Sequence, residues 1–171
     1  QRLADAVPNA AWPQNLRGMI ALRTSDIAGA RAAYARAAQI EPRDTTALVN
    51  LARVAFAEGN KPEAEQHLQR LLVVAPDDPI ALGGLAQLAA ERHDSATALS
   101  YIARIKDPAT RYSAEGSVQA SGGHFDAAAD AYSKAYEAAP NAELAVRAYN
   151  TASRAGRPKP EAALEKWVTG H

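Results

Sequence analysis

Residues 51–72 read LARVAFAEGNKPEAEQHLQRLL, which is two helical patterns separated by a short turn. Apolar side chains recur every three or four residues on both sides of the turn, at Leu48, Leu51, Ala52 and Ala55 and then at Ala64, Leu68, Leu71 and Leu72. This spacing gives each segment one apolar face. The stretch therefore predicts a pair of amphipathic helices that pack against each other.

The turn between these segments carries both an end signal and a start signal. Gly59 can adopt the positive φ that ends a helix, and Asn60 is a favoured N-cap. Pro62 fits the first turn of the next helix, and Glu63 stands at the third helical position, where its side chain can return a hydrogen bond. Equivalent turns are predicted at Ser25-Asp26, His93-Asp94, Gly123-His124 and Gly156-Arg157.

The same pattern recurs along the chain with a period near 34 residues. The recurring positions are a proline (Pro8, Pro42, Pro76, Pro108, Pro140), two small residues (Gly18, Ala52, Ala86, Gly116 and Ala30, Ala64, Ala98, Ala128) and a larger apolar residue (Tyr34, Leu68, Ile102, Tyr132). Each proline is expected to close a repeat, because the residue before a proline avoids the α region. The last step of the other columns is 30 residues. A helix of the third repeat is therefore expected to lose about one turn and keep its buried face.

Composition excludes several classes of function. The 171 residues include 19 basic and 19 acidic side chains, 42 alanines and no cysteine. Zero net charge argues against a general nucleic-acid binder, which needs a basic surplus to neutralise phosphates. Without cysteine there is no disulfide framework and no thiolate zinc site. The strongly apolar run Leu71–Ala75 is too short to cross a bilayer.

The columns resemble those of the tetratricopeptide repeat (TPR), which has small residues at positions 8, 20 and 27, a larger residue at 24 and proline at 32. The best matches are Gly18, Ala30, Tyr34, Ala37 and Pro42 in the first repeat and Gly116, Ala128, Tyr132, Ala135 and Pro140 in the fourth. The resemblance implies an all-α solenoid, a right-handed superhelix of antiparallel helix pairs. Its repeats would span 11–44, 45–78, 79–108 (shortened), 109–140 and 141–171 (partial or capping), with 1–10 as the end of a preceding repeat.

In this family the first helix of each repeat lines a concave groove that binds a partner. The positions that correspond to groove residues are Asn15, Met19, Arg23, Val49, Asn50, Arg53, Phe56, Gln87, Ser117 and Asn150. The mixture of apolar anchors and cations in the first two repeats suits a peptide segment. The partner is therefore expected to be a protein or peptide, with no nucleic acid and no membrane insertion by this segment.

No catalytic, cofactor-binding or metal-ligating residues are predicted. The histidines lack the spacing of a metal site on one helix, and His67 is expected on the outward side of its helix. His93, Asp94 and Ser95 contain the residue types of a hydrolase triad, but neighbours in sequence point in different directions. Asp94 is instead expected to cap a helix.

Two further features have structural interpretations. Gly83-Gly84 within a predicted first helix is expected to allow close approach of a neighbouring helix, with a hinge or a gap for a ligand as the alternatives. Trp12 and Trp167 are expected to cover the apolar core at the two ends of the chain, although Trp12 could also contact a ligand.

A narrower resemblance concerns Asn15–Gly18, Leu51–Leu72 and Ala152–Trp167, which are similar to the long TPR lipoproteins of the bacterial PEP-CTERM/exosortase system (PrsT type). That resemblance implies a non-catalytic scaffold of an exopolysaccharide and protein export system, periplasmic or outer-membrane-associated, in a longer lipid-anchored parent. The alternatives are a regulatory TPR segment of a larger enzyme and a cytoplasmic adaptor or chaperone-type peptide receptor.

Overall fold

The computed structural model describes residues 10–157, which form nine α-helices and no strand. The helices are α1 (Ala11–Arg23), α2 (Ile27–Ile40), α3 (Thr45–Ala57), α4 (Lys61–Val74), α5 (Pro79–Glu91), α6 (Ser95–Ala103), α7 (Pro108–Ser121), α8 (Phe125–Ala138) and α9 (Ala142–Arg154). The all-α prediction is confirmed for this part of the chain. The expected tail of a preceding repeat, the end of the fifth repeat and Trp167 lie outside it.

Successive helices are connected by three or four residues. Connections this short make neighbouring helices antiparallel. Contacts join α1 to α2, α2 to α3, and α3 to α4, and further along the chain they join α6 to α7, α7 to α8, and α8 to α9. The described residues divide after Ala81 into an N-terminal unit (10–81) and a C-terminal unit (82–157).

All five turns expected within a repeat are present, and each has one residue in the left-handed region. The φ angles at these positions are 60° at Ser25, 73° at Gly59, 60° at His93, 79° at Gly123 and 69° at Gly156. The next residue donates its N–H to the carbonyl five residues earlier, as in the Asn60 to Ala55 bond of 2.8 Å. This is the Schellman arrangement that ends an α-helix. Sequence alone located the turns, including the two in which serine or histidine stands in place of glycine.

The residue after the left-handed position caps the second helix in three repeats. The side chains of Asp26, Asn60 and Asp94 accept hydrogen bonds from the first turns of α2, α4 and α6. The expected capping role of Asp94 is thus confirmed. At Asn60 the return bond differs from the expectation, because the backbone N–H is already used by Ala55. Asn60 Nδ2 donates to Glu63 Oε2 instead, at 2.8 Å.

The third repeat is shortened at the end of its second helix. Helix α6 has 9 residues, whereas α2, α4 and α8 each have 14. The expected loss of about one turn is therefore confirmed. Pro108 does not follow a helix end as Pro42, Pro76 and Pro140 do. It stands in the first turn of α7, where Asp107 caps the helix by accepting from Thr110 N at 2.7 Å.

The core is built mainly from the alanine columns. In the N-terminal unit one cluster contains Ala11, Ala30, Tyr34, Ala37, Ala38, Ala47, Leu51 and Val54. In the C-terminal unit one cluster contains Ala86, Ala89, Ala98, Ile102 and Val118, and another contains Ala128, Tyr132, Ala135, Leu144, Ala145 and Ala148. Small side chains at these positions bring the helix axes close together.

Two columns of the repeat are coupled by direct contact. A Cβ added at Gly18 would lie 2.6 Å from Cζ of Tyr34, and one at Gly116 would lie 2.9 Å from the ring of Tyr132. In the second and third repeats the small residue is alanine and the partner is Leu68 or Ile102. Glycine therefore accompanies tyrosine and alanine accompanies an aliphatic residue, because the flat ring occupies the space of the missing methyl group.

Candidate functional site

The first helices of the N-terminal unit line a groove of about 600 Å³, called here the N-terminal groove. Its walls come from α1 and α3, and the buried Tyr34 of α2 lies at its base; the lining residues are Asn15, Leu16, Met19, Leu22, Arg23, Tyr34, Thr46, Asn50 and Arg53. The structure thus brings together five of the residues predicted to bind a partner: Asn15, Met19, Arg23, Asn50 and Arg53.

One side-chain amide of this groove, that of Asn15, is held in a fixed orientation. Asn15 Nδ2 donates to Asp44 Oδ2 at 2.5 Å. The other oxygen of Asp44 caps α3 by accepting from Thr46 N at 2.9 Å and Ala47 N at 3.2 Å. Because a carboxylate only accepts, the amide of Asn15 must present its nitrogen to Asp44. Asn15 Oδ1 is left buried, with no hydrogen-bond partner in the described residues.

The N-terminal groove also carries cations and exposed apolar side chains. Arg23 and Arg53 are exposed and form no ion pair within residues 10–157. Leu16 is 43% exposed and Met19 is 49% exposed. Burial raises the pKa of Tyr34, and the positive charge of Arg53 acts in the opposite direction. The groove therefore combines positive charge with apolar surface.

Three other residues of the predicted groove are placed elsewhere. Val49 is half-buried and Phe56 is 38% exposed, and neither lines the N-terminal groove. Asn150 is exposed on α9 and lies outside the groove of the C-terminal unit described next. Trp12, which was expected to cover the core at this end of the chain, is 48% exposed on α1.

The C-terminal unit has a groove of about 680 Å³, called here the C-terminal groove. It is lined by the first helices α5, α7 and α9, and by the residues that precede α7 and α9. The predicted residues Gln87 and Ser117 lie in it and are bonded to each other, with Ser117 Oγ donating to Gln87 Oε1 at 3.3 Å. Gln87 Nε2 also donates to Ser121 Oγ at 3.3 Å. Most of the polar side chains of this groove are hydroxyl or amide groups.

Sequence reasoning missed Arg147, which is the cation of the C-terminal groove. Its Nη2 lies 2.8 Å from Oε1 of Glu143, and its Nη1 donates to the Tyr132 hydroxyl at 3.4 Å. The bond to Tyr132 raises the pKa of Arg147, as does the charge of Glu143. Arg147 follows the N-cap Asn141 by six residues, as Asn50 follows the N-cap Asp44. Carrying the position of Asn50 over to the fifth repeat would have found it.

The expectation for Gly83 is wrong. A Cβ added there would meet no atom within 4 Å, so no neighbouring helix approaches closely. Gly83 instead lines the C-terminal groove. The missing side chain leaves space in the groove, which corresponds to the alternative of a gap for a ligand.

His67 is also placed differently from the expectation. Its side chain is only 13% exposed and lines a pocket of about 220 Å³ between the second helices α2 and α4. Burial lowers the pKa of His67, while Glu63, whose Oε1 lies 3.5 Å from His67 Nε2, acts to raise it. Arg31 pairs with Glu58 and, at 2.5 Å, with Glu63, and this contact lowers the pKa of Glu63.

Two negative findings apply to the part of the chain that the structure describes. No group of three or more histidine, aspartate or glutamate side chains is arranged to hold a metal ion. No helix there has both the length and the apolar character needed to cross a membrane.

Comparison with protein families gives one match. A family model described as tetratricopeptide repeat matches residues 21–88. No curated protein matches the sequence.

Comparison with solved structures gives many matches. A tetratricopeptide repeat protein from Parabacteroides merdae has a TM-score of 0.75 and 17% identity, covering 91% of this chain and 63% of its own length. PilW, described as a widely conserved type IV pilus biogenesis factor, has a TM-score of 0.79 and 13% identity, and the match covers 98% of this chain and 80% of PilW. YrrB, described as a TPR protein with an unusual peptide-binding site, has a TM-score of 0.63 and 15% identity, and the match covers 99% of this chain and 91% of YrrB. At these identities the likeness shows the fold, and the chain spans less than two thirds of the Parabacteroides protein.

Proposed function

Because this chain is a tetratricopeptide-repeat protein, we propose that it is a non-catalytic scaffold that binds a protein or peptide in the grooves lined by its first helices. The observation that carries the proposal is the N-terminal groove. It combines a buried acceptor on Asn15, two arginines without ion-pair partners in the described residues, and exposed apolar side chains. A peptide offers the complementary groups, because each residue carries a backbone N–H and a side chain of variable chemistry.

The side chains of the N-terminal groove suit recognition better than catalysis. They are amide, guanidinium, hydroxyl and apolar groups, and none of the nine lining residues is a histidine or a carboxylate that could act as a general base. YrrB, which has a similar fold, is described as having a peptide-binding site, and this supports the same kind of function here. Zero net charge argues against nucleic acid as the partner.

The cellular context that we favour is a bacterial envelope system for exopolysaccharide or PEP-CTERM protein export, with a periplasmic, lipid-anchored parent. The sequence resemblance at Leu51–Leu72 supports it. Fractionation of cells that carry the tagged parent protein tests it. Recovery in the membrane and periplasmic fractions is the expected result, and recovery in the cytosol would favour a cytoplasmic adaptor or a regulatory segment of a larger enzyme.

A fluorescent peptide library tests the binding function directly. The proposal expects saturable binders that are lost in the variant Arg53→Glu. The matched control is Arg36→Glu, which makes the same change of charge on the exposed side of α2. No saturable binder in the library, or binders that both variants retain fully, would remove the proposed groove function.

A further inference from the structure

We propose that the N-terminal groove selects an acidic peptide segment, with a backbone N–H donating to Asn15 Oδ1 and side-chain carboxylates binding Arg23 and Arg53. This inference rests on the proposed function and names the chemistry of the partner. Three observations carry it: the orientation of one amide, the charge balance of the groove, and the contrast with the C-terminal groove.

The first observation is the locked amide of Asn15. Turning it over would place its oxygen against Asp44 Oδ2, and two acceptors would then face each other. Asp44 cannot move away without losing its hydrogen bonds from the first turn of α3. The other end of the amide, Oδ1, is therefore an acceptor in every arrangement that keeps this cap. A buried acceptor without a partner costs free energy, and an N–H donor from a ligand would recover it.

The second observation is the charge balance. Arg31, Arg147 and Arg157 are each paired with carboxylates of this chain. Arg23 and Arg53 have no such pairing within residues 10–157, and none of the nine residues that line their groove is acidic. Two guanidinium groups on one open surface attract carboxylates and repel basic segments.

Apolar side chains of the same groove set a second requirement. Leu16 and Met19 are both more than two-fifths exposed beside these cations. An apolar residue of the peptide would cover them and remove their surface from water. The segment is therefore expected to contain aliphatic or aromatic residues between its acidic residues.

The third observation is the contrast with the C-terminal groove. Asp107 and Glu143 line that surface together with Arg147, so its one cation is balanced by acidic groups. Glu143 is directly paired with Arg147 at 2.8 Å. Selection of acidic residues is therefore assigned to the N-terminal groove and not to the C-terminal groove.

Fluorescence anisotropy with three matched probes tests the charge preference on the full chain. The probe is a fluorescein-labelled hexapeptide, Glu-Leu-Glu-Phe-Glu-Leu, with both ends blocked so that no terminal carboxylate remains. In the matched probes every glutamate becomes glutamine or lysine. The acidic probe is expected to bind about tenfold or more tightly than the glutamine probe, and the lysine probe is expected not to bind. Raising the salt from about 50 mM to about 500 mM should weaken only the acidic probe.

Protein variants locate the contact. Arg23→Glu and Arg53→Glu are each expected to weaken the acidic probe about tenfold or more, whereas Arg36→Glu should leave it unchanged. All these residues are exposed, so the variants are expected to fold, and thermal melting by circular dichroism checks this.

A backbone test isolates Asn15. Methylating the amide nitrogens of the acidic probe removes its N–H donors, and this should weaken binding to the unaltered chain. The variant Asn15→Leu lacks the acceptor, so it should no longer distinguish the methylated probe from the plain one. Equal discrimination by both proteins would overturn the role of Asn15.

The outcomes separate this inference from the proposed function. Equal binding of the glutamate and glutamine probes, or no binding of the acidic probe, overturns the inference. The proposed function survives if the library still returns binders that Arg53→Glu loses. If a glutamine probe with a free C-terminus binds as tightly as the acidic probe, the groove recognises a terminal carboxylate, and the side-chain assignment is wrong. A library without any saturable binder removes both proposals.

Discussion

The contact between Gly18 and Tyr34 shows how single residues set the packing of a repeat. A methyl group at position 18 would lie within 3 Å of the tyrosine ring. Gly18→Ala is therefore expected to lower the free energy of unfolding by about 1–3 kcal/mol, through overpacking. In a chain that also carries Tyr34→Leu the same alanine should be tolerated, because the second repeat already combines Ala52 with Leu68.

Urea denaturation of the two single variants and the double variant measures this coupling. The loss of unfolding free energy in the double variant is expected to be smaller than the sum of the two single losses by about 1 kcal/mol or more. Gly83→Ala is the control, since a Cβ there meets nothing within 4 Å. It should be neutral, or stabilising by about 0.5–1 kcal/mol through helix propensity. Additive effects at Gly18 and Tyr34 would contradict the proposed contact.

The left-handed turns give a second prediction. Ser25 and His93 adopt φ of 60°, where a side chain crowds the backbone and glycine does not. Ser25→Gly is expected to raise the free energy of unfolding by up to about 1 kcal/mol, and Gly59→Ala is expected to lower it by about the same amount. Calorimetry measures the melting temperatures, which should rise in Ser25→Gly and fall in Gly59→Ala. The same direction of change in both would show that the turn geometry is wrong.

His67 gives a prediction for pH dependence. Its folded pKa lies below the ordinary value of 6.5 because of burial, although the neighbouring Glu63 opposes this, while Arg31 and Arg70 add to it. The unfolded chain then binds more protons near this pH, so the stability contributed by neutral His67 is lost as the pH falls below about 6.5. Urea unfolding at about pH 7.5 and about pH 5 should show a smaller loss in His67→Gln than in the unaltered chain. An equal loss would contradict the burial of the ring.

Among the elements, the cap of α3 connects stability with recognition. Asp44 accepts hydrogen bonds from the first turn of α3 and from Asn15, whereas Asp78 accepts only from the first turn of α5, at 2.9 Å from Ile80 N and from Ala81 N. Asp44→Ala and Asp78→Ala should each cost about 1 kcal/mol of stability. Only Asp44→Ala should also weaken the acidic probe, because it releases the amide of Asn15. Equal binding by the two variants would show that Asp44 does not position Asn15.

Helix boundaries were largely predictable because they depend on local signals. A helix ends where a turn residue such as glycine follows it, and the next helix begins where an asparagine or aspartate caps it. These signals act within a few residues, and the column spacing showed which repeat is shorter. Pro108 was assigned the wrong role because a proline is equally suited to follow one helix and to begin the next. Only the position of the cap Asp107 separates the two cases.

The orientation of His67 could not be predicted in the same way. Its neighbours Glu63, Gln66 and Arg70 are polar, so periodicity assigns this side of α4 to solvent. In the structure, Ala35 and Ala38 of α2 are small enough to leave a pocket that receives the imidazole. The burial of such a residue depends on the packing of one repeat on the next, which periodicity within one helix does not report.

At the scale of the molecule, the family pattern identified the helix faces that carry the grooves but not the side chains that converge there. Arg23 and Arg53 were predicted and lie in one groove, since both stand on the same side of neighbouring first helices. Phe56, one turn after Arg53, was predicted as an anchor and does not line it. Arg147 was missed because its position, six residues after the cap, was considered as a groove position only in the second repeat, at Asn50. The charge contrast between the two grooves became visible only when lining residues were known.

An NMR titration of the isotope-labelled full chain with the acidic, end-blocked probe tests the central claim most directly. The account predicts that the side-chain amide signals of Asn15 and the guanidinium signals of Arg23 and Arg53 shift in a saturable manner. The signals of His67 and of Gln87 should stay in place, because they belong to the second-helix pocket and to the C-terminal groove. Saturable shifts at His67 or Gln87, with none at Asn15 or Arg53, would contradict the account.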